Sequence, residues 1–164
     1  MTLSRHVPRM LLSAMFISGG IDSLRNPAAK VPAADKVAPE IAGRLPLPDD
    51  TEQLVKINAA VQVGAGGLLA LGKLPRLAAL ALSASLIPTT LAGHRFWEEQ
   101  DATKRRAQQI HFLKNVGLLG GLLLAALDTE GRPSLRWRAE RATRQARATT
   151  ASAVESTRAA LPIT

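Results

Sequence analysis

The chain has 164 residues, a formal net charge of +8, no cysteine and no tyrosine, and only 3% aromatic residues. Without cysteine it forms no disulfide, holds no thiolate-bound metal and does no thiol chemistry of its own. So few rings argue against a stacking platform for single-stranded nucleic acid, and the positive charge calls for an anionic partner, an anionic lipid surface being the first candidate.

Hydropathy is sharply segregated. Leu77–Gly93 and Val116–Leu127 carry no charge, while the segments between and after them are charged. A span needs about 20 mostly apolar residues and loops do not. A soluble bundle would instead show apolar stripes backed by charged faces. The pattern predicts an all-α fold: a membrane four-helix bundle over 1–130, with spans near 7–24, 54–72, 75–92 and 110–127. An Arg-rich tail, helical or disordered, would occupy 131–164 on the cytoplasmic side.

The first segment opens on Arg5, His6 and Arg9, then runs apolar from Met10 to Ile21. That start resembles a signal peptide, but Asp22, Arg25 and Asn26 follow in place of a small-x-small cleavage site, which favours a retained span. The linker from Arg25 to Gln53 holds five prolines and cannot be one helix. A short helix near Ala34–Ile41 and a lid-like position over one end of the bundle are expected of it.

Leu71-Gly72-Lys73-Leu74-Pro75-Arg76 reads as a tight helical hairpin, with Gly ending one helix and Pro opening the next. Pro88, Thr89 and Thr90 interrupt the third span, where freed carbonyls and hydroxyls are candidate ligand groups. Gly93–Gln109 is short and charged, and much of it reads as helix continuous with the fourth span. Gly64-Ala65-Gly66-Gly67 lies inside an apolar helix pattern, so it is a packing feature and not a phosphate cradle.

Lipid tails are as apolar as Leu, so helices associate through close packing of small residues. Ala14, Ser18 and Asp22 share a face, as do Ala60 and Gly64, Ala79 and Ser83, and Gly117 and Gly121. These pairs predict a tightly packed bundle.

After Leu127 the chain turns, and Ser134–Ala160 reads as an Ala- and Arg-rich helix with Trp137 near its start. Such a helix suits anionic headgroups. Lys and Arg are sparse in the N-terminal stub and the tight hairpin, denser in the two longer linkers, and densest in the tail. That distribution puts both termini in the cytoplasm of a multi-pass plasma-membrane protein.

An up-down series of four spans gathers Asp22, Lys56, Asn58, His94, Arg95, His111, Lys114 and Asn115 at one end, the outer one. Charge inside a bilayer costs roughly 2.5–3.5 kcal/mol per residue, so this convergence marks a ligand site or a mutually satisfied polar layer. His111, Lys114 and Asn115 stand at i, i+3 and i+4 on one helical face. Asp22 is the expected counter-charge for Lys114 or Lys56, while each lysine alone is close enough to a helix end to snorkel. His94 and His111 lie in different segments and make a poor metal site, even with Glu98, Glu99 and Asp101 nearby. No nucleophile triad or nucleotide fingerprint is present, so no catalytic residue is assigned.

The basic start, Leu11–Ile21 with Ser18-Gly19-Gly20, and Asn26-Pro27 resemble the opening of the DoxX family. So do Gly93-His94-Arg95-Phe96-Trp97-Glu98 and His111-Phe112-Leu113-Lys114-Asn115 before the Gly-rich run 117–127. The resemblance, strongest to mycobacterial and actinomycete members, covers about Arg5–Asp128 and leaves out the tail. It implies a four-helix integral membrane protein associated with redox systems. Members include half of a quinone-linked thiosulfate-oxidising pair in archaea, and in mycobacteria a partner of superoxide dismutase and a sulfurtransferase. The implied function is a membrane accessory or scaffold subunit of a redox or oxidative-stress complex, without activity alone. The alternative is a subunit binding a quinone or other small ligand at the polar end. A small oligomeric transporter ranks below both.

Overall fold

The computed structural model describes residues 3–39, 48–128, 137, 140–147 and 149–150. Every regular element among them is helical. The chain forms two compact units, Met1–Leu127 and Asp128–Thr164.

Four long helices build the first unit: α1 (Leu3–Arg25), α3 (Thr51–Ala70), α4 (Pro75–Gly93) and α5 (Ala102–Leu127). A 3-10 turn over Ala28–Lys30 and the four-residue α2 (Val31–Ala34) follow α1. Of the helix expected over Ala34–Ile41, Ala34 ends α2, residues 35–37 form a turn and residues 38–39 are helical again, while residues 40–47 lie outside those described. Pro32 falls in the first turn of α2, where the N–H that proline lacks has no helical partner to lose.

Helix ends follow from local chemistry. Asp50 caps α3 by accepting from the Glu52 amide at 3.0 Å. Asp101 caps α5 by accepting from the Lys104 amide at 2.8 Å. The hairpin between α3 and α4 closes as the sequence predicts. Lys73 N–H donates to Leu68 O at 2.8 Å and Gly72 N–H to Leu69 O at 3.1 Å, with Gly72 at φ 67°. That is a Schellman closure, which needs a left-handed residue where Gly72 stands. Leu74 also sits left-handed, at φ 49°, just before Pro75 opens α4.

Consecutive long helices run antiparallel. Gly20 of α1 abuts Ala59 and Val63 of α3, and Ile17 abuts Gly66. A Cβ on Gly20 would lie 2.9 Å from Ala59 O and one on Gly66 2.8 Å from Ile17 Cγ1, so α1 and α3 touch almost backbone to backbone. Leu12 leans on Gly121 and brings α1 against α5. The expected small-residue faces are partly corrected here. Ala79 and Ser83 are buried, but Ala14, Ser18, Asp22, Ala60 and Gly64 are exposed. The phase of α1 and α3 turns Gly20 and Gly66 inward instead.

The apolar core joins Phe16, Leu69, Leu82, Leu86 and Leu122 with small residues from α3, α4 and α5. It occupies the half of the unit nearer the tight hairpin. At that end Arg76 Nε donates to Ala126 O at 2.8 Å, satisfying a carbonyl at the end of α5. In the second unit, residue 137, residues 140–147 and residues 149–150 are helical. There Arg144 pairs with Glu140 at 3.6 Å, and the Arg141 guanidinium lies 5.0 Å from the Trp137 ring centre.

Candidate functional site

The end opposite the tight hairpin holds two polar tiers. The inner tier is neutral. Asn58 Nδ2 donates to Thr89 Oγ1 at 3.1 Å, while Asn58 Oδ1 accepts from Ser85 Oγ at 2.7 Å. One amide thus clasps a full turn of α4. Gln62 Nε2 donates to the same Ser85 Oγ at 3.1 Å. On the other side of α4, Asn115 Nδ2 donates to Thr90 Oγ1 at 3.0 Å. Both threonine hydroxyls donate in turn to carbonyls one turn back, Ser85 O and Leu86 O, at 2.8 and 2.7 Å.

This tier stitches α3, α4 and α5 together just where Pro88 deprives α4 of one N–H. The hydroxyls of Thr89 and Thr90, expected as ligand groups, are consumed here. Among the described residues no buried side-chain nitrogen or oxygen lacks a partner. Gln62 and Ser85 escaped sequence reasoning. The signal was present: Asn58 and Gln62, like Ser85 and Thr89, are four apart and so share a helix face.

The outer tier carries the charges, and Asp22, Lys56 and Arg95 each pair close to home. Asp22 binds Lys30 at 2.7 Å, with Asn26 donating to it at 3.5 Å. Lys56 binds Glu52 one turn away at 2.6 Å. The expected pairing of Asp22 with Lys114 or Lys56 is therefore absent. Lys30 and Glu52 are brought close by the backbone itself, so pairing with them orders fewer independent groups than a contact between helices would. Arg95 is held by Glu98 at 3.0 Å, by Leu91 O at 2.8 Å and by Lys36 O at 3.2 Å. The last bond, with buried Val37 and Ala38 beside it, rests the proline-rich linker on this end.

Three of the expected residues do assemble. The rings of His94 and His111 stack with centres 5.2 Å apart and planes 21° from parallel. Gln108 Oε1 lies 2.7 Å from His94 Nδ1, and Lys114 Nζ lies 3.5 Å from His111 Nδ1. Beside them Phe96, Trp97 and Phe112 meet edge to face, with centres 5.2 to 5.8 Å apart. Among the described residues no three of His, Cys, Asp and Glu converge as metal ligands would. Asp101 is spent on the α5 cap, and Glu98 on Arg95.

The DoxX family model matches residues 5–95, more than half of the chain. The chain belongs to the DoxX family. The match spans α1 through α4 and ends on His94 and Arg95, so the α5 side of the polar end, with His111, Lys114 and Asn115, lies beyond the matched residues. Neither a curated protein nor a solved structure matches the chain. Among the described residues of this DoxX protein, two segments, Pro75–Glu98 and Ala102–Leu127, are long and apolar enough to cross a membrane. By that measure α1 and α3 fall short, carrying Arg5, Arg9 and Asp22, and Glu52 and Lys56, within or beside their apolar stretches.

Proposed function

We propose that all four long helices cross the plasma membrane as a bundle, and that the protein is a membrane accessory or scaffold subunit of a redox or oxidative-stress complex. The observation that carries the membrane part is the reversal of inside and outside. Asn115, Gln62, Ser85 and Thr90 are buried while Leu11, Ile57, Leu80, Leu113 and Leu124 are exposed. Only 22% of the apolar window of α5 is buried. Apolar surface this continuous is rare on a soluble monomer, and it appears on α1 and α3 as on α4 and α5. Buried amides and hydroxyls that bond across helices are the usual cement of membrane bundles.

The accessory role rests on the family resemblance and on the inner tier. Its polar groups satisfy one another, as groups serving packing do. Both termini are placed in the cytoplasm, with the polar end outward and the Arg-rich tail against anionic headgroups, since Lys and Arg concentrate on the retained side.

A second reading, a ligand-binding subunit for which a quinone is the cofactor the family resemblance suggests, is favoured by one observation. The His94–His111–Lys114 cluster stands outside the self-satisfied tier with hydrogen-bonding capacity left over. Purification of the intact protein in detergent, with mass spectrometry of whatever accompanies it, separates the two. A co-purifying soluble enzyme supports the scaffold. A stoichiometric small molecule lost in Lys114→Ala supports the ligand site. Recovery of the chain alone overturns both.

A further inference from the structure

The polarity of the His94–His111–Lys114 cluster points to one class of ligand. A lysine ammonium only donates, so His111 Nδ1, 3.5 Å from Lys114 Nζ, accepts. In the neutral ring that accepts from the ammonium, the His111 proton is on Nε2 and gives a second donor. Gln108 Oε1 accepts from His94 Nδ1 at 2.7 Å and fixes that ring, and the stack fixes His111 against it. Lys114 keeps two further hydrogens. Its only polar contact among the described residues is His111, and it forms no ion pair there. Glu98, in the Phe96–Glu98 turn packed against α5, is shared between Arg95 at 3.0 Å and Lys36 at 3.9 Å. The cluster therefore presents donors and a positive charge that no carboxylate offsets.

Depth makes the same point. Lys114 lies one turn inside the apolar run of α5, flanked by exposed Ile110, Leu113 and Val116. Its stem would lie along acyl chains while its ammonium rises to headgroup level. Trp97 and the Phe96–Phe112 pair occupy the same level, where amphipathic rings prefer to sit.

We infer that Lys114 and His111, buttressed by His94, form a binding site for a phosphate oxyanion, carried by a phospholipid headgroup or by free phosphate. The inference rests on the ligand-site reading and names its ligand class. Lysine binds phosphate as a point charge, and the imidazole N–H adds direction.

The test uses the intact protein in nanodiscs of phosphatidylcholine with and without phosphatidylglycerol, followed by native mass spectrometry of retained lipid. A second arm titrates sodium phosphate into detergent-solubilised protein and follows the imidazole resonance that His111→Gln removes. Lys114→Gln should weaken phosphatidylglycerol retention about tenfold, the scale of one charge-assisted contact. Lys104→Gln, an exposed cation elsewhere on α5, should not. Lipid retention without a response to phosphate assigns the headgroup, and a resonance shift without lipid retention assigns the free anion. Equal retention in wild type and Lys114→Gln, with no phosphate response, overturns the inference. If added quinone then shifts the His111 resonance, the ligand site survives with another occupant. If it does not, the site reading falls as well.

Discussion

The inner and outer polar tiers occupy the same end of the same helices and solve opposite problems. Inside, Asn58, Gln62, Ser85, Thr89, Thr90 and Asn115 are neutral, bond across helices and leave nothing unmet. Outside, Asp22, Lys56 and Arg95 are charged, stay exposed or half-buried, and pair within a few residues along the chain or on the adjoining turn. Desolvating an ion costs several kcal/mol that its partner must return in full, whereas an amide needs only one or two hydrogen bonds. The fold accordingly spends its interhelical contacts on amides and hydroxyls and sends its ions to the rim. Substitutions in the two tiers should differ in size.

The largest effect is expected where the inner tier meets α1. A Cβ at Gly20 would lie 2.8 Å from Val63 Cγ2, 2.9 Å from Ala59 O and 3.1 Å from Gln62 Cβ. Backbone oxygen cannot give way, so Gly20→Ala should push α1 off α3 and cost about 1–3 kcal/mol, the range for overpacking. Gly66→Ala should cost less, because its one close contact is a side-chain atom, Ile17 Cγ1 at 2.8 Å, and the nearest backbone atom stands 3.6 Å away. Thermal unfolding of the two variants in one detergent compares them. Equal midpoints would mean that α1 docks less tightly than its contacts indicate.

Next comes the tier itself. Ser85→Ala removes the donor to Asn58 Oδ1 and the acceptor for Gln62 Nε2 together. The expected loss is about 1–2 kcal/mol, between the penalty for stranded buried polar groups and the smaller values measured inside membranes. Asn115→Leu combined with Thr90→Val should cost less than either change alone, because removing both partners strands neither. An additive double mutant would show that the Asn115–Thr90 bond is not a coupled pair.

Much of this was legible in the sequence. Hydropathy located all four long helices, and Gly72 and Pro75 located the hairpin because each occupies the one conformation it favours. The up-down series was enough to place the polar residues at one end. The pairing among them was not legible. Asp22 had two lysines at the right depth, Lys56 and Lys114, but Lys30 reaches it through a 3-10 turn whose position depends on how the prolines of the linker settle. The stripe Ala14–Ser18–Asp22 looked like a helix contact because spacing gives a face and not the direction in which it points. Rotated the other way, α1 buries Phe16 and Gly20 and leaves that stripe lining an open groove of about 610 Å³ with Ile17, Ile21 and Arg25. Gln62 and Ser85 passed unnoticed because an uncharged residue in an apolar run carries no sign of whether it faces lipid or a neighbour.

The tight hairpin offers a calibration free of either tier. Gly72 holds φ 67° in the Schellman closure, and Leu74 holds φ 49° with its side chain largely exposed. Gly72→Ala should destabilise by about 1 kcal/mol, the cost of a left-handed residue with a Cβ. Leu74→Gly should stabilise by a fraction of that, since glycine relieves the strain but loosens the unfolded chain.

The smallest effects belong to the rim. Asp22→Asn breaks the Lys30 contact and Lys56→Gln breaks the Glu52 contact, yet both pairs stand in solvent or headgroups, where exposed ion pairs contribute little. Neither variant should move the unfolding midpoint measurably, and raising the salt should leave wild type unchanged too, since the exposed pairs that salt screens contribute little to begin with. A loss with Asp22→Asn comparable to that of Ser85→Ala would break the distinction between the tiers. Asp22 would then have to be desolvated in the membrane, facing a partner across the α1 groove, and the ions of this end would belong to the bundle's interior and not to its edge.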